Sequence, residues 1–60
     1  MYSMNYYRAL DWLDNNGSTK RDWEVESALR YFRKTVEARD GYLMNHAEAN
    51  LVDLIKRKGI

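Results

Sequence analysis

Nothing in this chain interrupts a helix except three glycines, Gly17, Gly41 and Gly59; it contains no proline. Proline breaks or kinks helices, and glycine is favoured just past a helix end, where the backbone turns left-handed. Each glycine here follows a stretch that suits a helix. The spacing predicts three helices, over about 4–15, 20–39 and 46–58. Asn16-Gly17 is also a hairpin signal. Its flanks, Leu13-Asp14-Asn15 and Ser18-Thr19-Lys20, lack the alternation of strands.

Ser3 is placed to cap the first segment. At about 100° per residue, Tyr6, Ala9, Leu10 and Leu13 share one face, with Tyr7 and Trp12 on opposite flanks. With those flanks the apolar arc is roughly 220° wide, against about 100° or somewhat more for an ordinary surface helix. The second segment starts at Thr19 or at Asp22, and Val25, Ala28, Leu29, Phe32 and Val36 form a compact stripe. Asp40-Gly41 ends it, with Tyr42 expected to fold back on Val36. In the third segment Asn45 as N-cap and Glu48 three residues later make a capping-box variant, with Met44 stapled on Ala49. Ala47, Leu51, Val52, Leu54 and Ile55 then fill an arc of about 160°. Lys56, Arg57 and Lys58 suit the negative end of a helix dipole. Gly59, with Ile60 touching Ile55, fits a left-handed close.

Short connections favour antiparallel neighbours. A single all-α domain over 1–60 is expected, as an up-down-up bundle. The alternative is a hairpin of the second and third helices, with the first packed across a second chain. Size sharpens the choice. A 60-residue domain buries only about 60% of its unfolded surface, and such scaffolds usually need a staple. There is no Cys, hence no disulfide and no thiolate metal cage. Helix packing or oligomerisation must supply the stability, and a dimer is expected.

The aromatic residues point to where a partner would sit. Tyr2, Tyr6, Tyr7 and Trp12 fall within the first twelve residues. Tyr6, Tyr7, Leu10 and Trp12 project over too wide an arc for one helix-helix seam. Either the first helix lies in a groove between the other two, or its surplus forms an interface, where Tyr and Trp are enriched. Trp23 falls off the second stripe, near Arg30 and Lys34. It packs on the preceding loop or anchors a partner. Tyr6, Tyr7, Leu10, Trp12 and Trp23 are therefore the candidate protein interface.

Charge gives the competing reading. The net charge is +1, divided as −2 over residues 1–28 and +3 over 29–60. That is not the basic excess of a dedicated nucleic-acid binder. If nucleic acid is the partner, Arg30, Arg33, Lys34, Lys56, Arg57 and Lys58 are the candidate phosphate contacts. Glu26 before Arg30, Glu37 after Arg33 and Asp53 before Arg57 lie at i,i+4 spacing, which favours a solvated, salt-bridged face. A helix-turn-helix fits poorly. Residues 40–44 exceed the usual turn, and the first half of the third helix has no Arg or Lys for base contacts. A protein partner is favoured over nucleic acid.

Catalysis has little to work with. His46 is the one histidine, and with Asn50 and Asp53 it makes a poor zinc set. Asp11 and Asp14 pair at i,i+3 without a basic or nucleophilic partner. No serine has a neighbouring His, and there is no Gly-rich phosphate loop. No enzymatic activity, cofactor or metal is expected. No apolar run approaches the roughly 18 residues of a membrane span. Met1 to Tyr7 lacks the basic and apolar regions of a signal peptide, so a cytoplasmic location is expected.

The pattern Tyr6–Leu13, Val25–Val36 and Ala47–Ile55 resembles, in size and style over the whole chain, the short all-helical proteins encoded in early regions of lambdoid bacteriophages. The resemblance implies a protein that alters host physiology by binding a host protein, in some cases as a dimer.

Overall fold

The computed structural model describes residues 2–16 and 22–60. They form α1 (Met4–Asn16), α2 (Trp23–Glu37) and α3 (Gly41–Lys58), with no strand among the described residues. The expected all-helical class is what is found. Gly17 and Thr19, read above as stop and start signals, lie outside the described residues.

α1 begins as its sequence implied. The Tyr6 N–H donates to Ser3 Oγ at 3.2 Å, and the Tyr7 N–H to the Ser3 carbonyl at 3.2 Å. The cap satisfies amides that have no partner inside the helix. Tyr6 and Ala9 are buried, and Leu10, Trp12 and Leu13 pack half-buried around them. α1 contacts both α2 and α3. The wide apolar arc is thus covered by a groove, from which only Tyr7 stays out, 54% exposed.

α2 starts at the second of its two candidate caps. Asp22 accepts from the Glu24 and Val25 N–H groups at 3.1 and 3.2 Å. Val25, Ala28, Leu29 and Phe32 are buried, as their stripe required. Thr35 is buried as well, which the stripe did not include. Its hydroxyl donates to the Phe32 carbonyl at 2.7 Å, so this buried hydroxyl is paired.

The turn into α3 differs from expectation. Gly41 does not take the left-handed position; Arg39 does, with φ 54°. The Arg39 and Asp40 N–H groups donate to the Val36 and Thr35 carbonyls at 3.1 and 3.2 Å, which is a Schellman close. Asp40 then caps α3, accepting from the Leu43 N–H at 3.1 Å. Gly41 is the first helical residue, and Asn45 and His46 lie inside the helix. The Asn45–Glu48 box and the Met44 staple therefore do not mark its start. Asp40 is itself a strong N-cap, and starting there adds backbone bonds such as Met44 N–H to Asp40 O at 2.9 Å. Tyr42 does not fold back on Val36. It is 73% exposed and meets the His46 ring edge-on at 4.7 Å.

α3 buries Ala47, Leu51 and Leu54. Gly59 closes it at φ 68°, and the Ile60 N–H donates to the Ile55 carbonyl at 3.0 Å. Ile60 packs on the core. The Asn5 amide donates to Glu48, and Tyr6 lies on Phe32. Lys58 and Arg57 reach Asp22 and Glu24. These contacts define the up-down-up order.

Candidate protein-binding surface

The two ends of the bundle take up most of the singled-out residues. Beside the C-terminal half of α2, Tyr2 stacks on Tyr6 with centroids 4.5 Å apart, and Tyr6 lies on Phe32 at 5.4 Å. Tyr7 meets Tyr2 and Tyr6 edge-on at 6.2 and 5.5 Å. These are favourable separations for ring pairs. Tyr6 is only 4% exposed, so this candidate interface residue belongs to the core and offers nothing to a partner. Its hydroxyl accepts from Arg33 Nη1 at 3.4 Å. Among the described residues no ion pair joins Arg33 to Glu37 or Arg30 to Glu26. Leu10 and Trp12 are half-buried against the core.

At the opposite end, antiparallel packing lays the acidic start of α2 against the basic finish of α3. Lys58 Nζ lies 3.0 Å from Asp22 Oδ2 and 3.2 Å from Glu24 Oε1. Arg57 Nη2 lies 3.0 Å from Glu24 Oε2, and its Nε 2.9 Å from Asp53 Oδ2. The Asp53–Arg57 pair was legible from its spacing; the others were not. Both helix dipoles favour this placement of charge. Partial desolvation pushes the Asp22 carboxyl up, but Lys58 and the capped Val25 and Glu24 amides outweigh it and hold it below its ordinary value. Arg57, then Lys58, lower the Glu24 carboxyl. Glu24 and Asp53 raise Arg57, and Asp22 and Glu24 raise Lys58. Two of the six candidate phosphate contacts, Arg57 and Lys58, are thus held by carboxylates. Lys56 is exposed.

Each helix leaves two large apolar residues outside: Met4 and Tyr7 on α1, Trp23 and Tyr31 on α2, Tyr42 and Leu43 on α3. Trp23 and Tyr31 are 62% and 40% exposed. With Glu24, Ser27 and Asn50 they rim an open hollow of about 540 Å3 between α2 and α3, floored by Ala28 and Leu54. Trp23, Ser27 and Tyr31 succeed one another at one-turn intervals, so one side of the helix carries all three. Arg30 and Lys34 are exposed beside them, and neither has an ion-pair partner among the described residues. Sequence reasoning singled out Trp23 and placed Tyr31 off the stripe with it, but did not bring Asn50 or Leu54 to this surface. Asn50 and Leu54 join the hollow only through the register of α3 on α2.

A smaller hollow of about 290 Å3 is lined by Tyr42, Asn45, His46 and Ala49. Among the described residues no group of three or more His, Cys, Asp or Glu side chains could hold a metal ion. None of the described helices is long and apolar enough to cross a membrane. Comparison with protein-family models, with curated proteins and with solved structures finds no match.

Proposed function

We propose that the chain is a small, non-enzymatic helical interaction module that self-associates and acts by binding a protein partner, in the manner of a phage-encoded modulator of host physiology. One observation carries the reading. Tyr6, Phe32 and the aliphatic stripes close the core, while Trp23 and Tyr31 stay outside it over Ala28 and Leu54. Large amphipathic rings that the fold leaves exposed are the usual anchors of a protein interface. A reducing cytoplasm goes with this reading, in keeping with the absence of Cys.

The test is affinity capture from the native host with wild type and Trp23→Ala. A discrete partner retained by wild type and lost by the variant, with helicity kept by circular dichroism, supports the reading. Equal capture by both removes Trp23 from the site. Unfolding of the variant would make Trp23 structural instead.

A second reading has its own support. Arg30 and Lys34 beside Trp23 combine cations with a ring on which bases stack, as single-strand binders do. Arg33, Arg57 and Lys58 already have partners within the chain, which reduces the patch. A salt titration of DNA binding decides it, because phosphate contacts give a steep inverse dependence on salt. No binding at low salt ends that reading.

A further inference from the structure

We infer that self-association joins two unlike faces: the outer row of α1 in one copy docks along the outer row of α2 in a second copy. The inference rests on the self-association proposed above and names its surfaces.

Met4, Tyr7, Asp11 and Asp14 succeed one another at spacings of three, four and three, which aligns them along one side of α1. All four are exposed, Met4 to 85%. On α2, Trp23, Ser27, Arg30 and Lys34 succeed one another at four, three and four, and all four are exposed. Alternating threes and fours give the seam spacing of paired helices. Laid side by side in the same direction, the rows match in chemistry. Met4 falls at Trp23, Tyr7 at Ser27, Asp11 at Arg30 and Asp14 at Lys34. One end of each row is apolar. At the other end, one row is acidic and the other basic.

The unpaired charges agree with this matching. Asp22, Glu24 and Asp53 are paired with Arg57 and Lys58 within the chain. Asp11, Asp14, Arg30 and Lys34 have no ion-pair partner among the described residues. Arg8, on the edge of the α1 row, falls at the level of uncharged Ser27. Glu37 lies beyond Lys34, past the end of the α1 row.

The occupant is a second copy because one chain cannot make the contact with itself. Both rows point away from the shared core, and α1 and α2 run antiparallel within the chain, whereas the rows match in parallel. A nucleic acid would use only the α2 row and would be repelled by Asp11 and Asp14.

Unlike faces give a complementation test. Two double variants are made, Asp11→Lys with Asp14→Lys, and Arg30→Glu with Lys34→Glu; far-UV circular dichroism checks that each keeps its helicity. Sedimentation equilibrium at micromolar concentration is expected to show wild type associating. Each double variant alone should associate at least about tenfold more weakly, since like charges then face each other. An equal mixture of the two should regain association, and so should one chain carrying all four changes. If both variants associate like wild type, or the mixture stays at 7.2 kDa, the contact lies elsewhere and this inference falls while self-association stands. If wild type itself sediments at 7.2 kDa, self-association falls as well. DNA binding lost in the Arg30/Lys34 variant and kept in the Asp11/Asp14 variant, without self-association, would assign the α2 row to nucleic acid and overturn the inference.

Discussion

Along its C-terminal half α2 meets α1 through stacked rings, whereas at its N-terminus it meets α3 through carboxylates and cations. The rings are shut away from water, Tyr6 at 4% and Phe32 at 2% exposure. The Glu24 and Arg57 side chains remain 53% and 52% exposed, and the Asp22 and Lys58 side chains beside them 20% and 24%. Burial of apolar surface stabilises in proportion to area and is indifferent to pH. Exposed ion pairs contribute little and are screened by salt. The contrast teaches that similar-looking junctions can differ in what they do. The ring junction holds α1 to the hairpin, while the ionic junction pairs the charges at two helix ends.

The largest expected effect is at the ring junction. Phe32→Ala should cost about 3–5 kcal/mol, comparable to all the core of so small a domain supplies. Far-UV circular dichroism at 25 °C should show an unfolded chain. A cooperative transition near that of wild type would break the comparison. Next comes the cap at the ionic junction. Asp22→Ala should lower the urea midpoint by an amount equivalent to about 1 kcal/mol. Asp22→Asn keeps a capping side chain and drops the charge, so most of that loss should be spared. Equal loss in both variants would make the Lys58 pair, rather than the cap, the reason for Asp22.

Next in size comes the α2–α3 turn. Arg39→Gly should raise the midpoint by up to about 1 kcal/mol, because a left-handed backbone penalises a side-chain-bearing residue. No gain would mean that the Arg39 side chain offsets its own strain. The smallest effect is acid sensitivity. Asp22 and Glu24 titrate in the fold below their ordinary values of 3.8 and 4.5. Their contribution is present above those values and is lost as the pH falls through the lowered ones. Lys58 is raised above 10.5, so its contribution is complete below that value and lost only in stronger alkali. Thermal melts should be flat between about pH 6 and 9 and decline gently below about 4.5. A steep collapse near pH 4 would give the ionic junction a larger share of the stability than packing allows.

The sequence made the ring junction more legible than the ionic one, for a physical reason. Helical periodicity is local, so Val25, Ala28, Leu29 and Phe32 declared their face, as did Ala47, Leu51 and Leu54. Ser3 and Gly59 declared two helix ends. The pairs Glu24–Arg57 and Asp22–Lys58 depend on the register of two antiparallel helices, which no local pattern encodes. Short-range signals also compete. Asp40 and Asn45 are both acceptable caps, and a left-handed residue was needed between α2 and α3. The sequence pointed to Gly41 for it, but Arg39 carries it because Asp40 starts α3 five residues earlier than Asn45 would. Thr35 was missed because its hydroxyl is satisfied by its own helix. As for the candidate site, Trp23 stood out by being off the stripe, whereas Tyr6 was sorted with Tyr7 until packing separated them.

Hydrogen exchange along α3, in low salt and in 1 M NaCl, tests most directly whether the ionic junction is separable from the core. The Leu51 and Leu54 amides sit at core positions and should exchange at the same rate in both. Those of Arg57 and Lys58 should exchange faster in high salt, where the pairs to Glu24 and Asp22 are screened. Acceleration of all four together would contradict this, because the ion pairs would then be holding the whole fold.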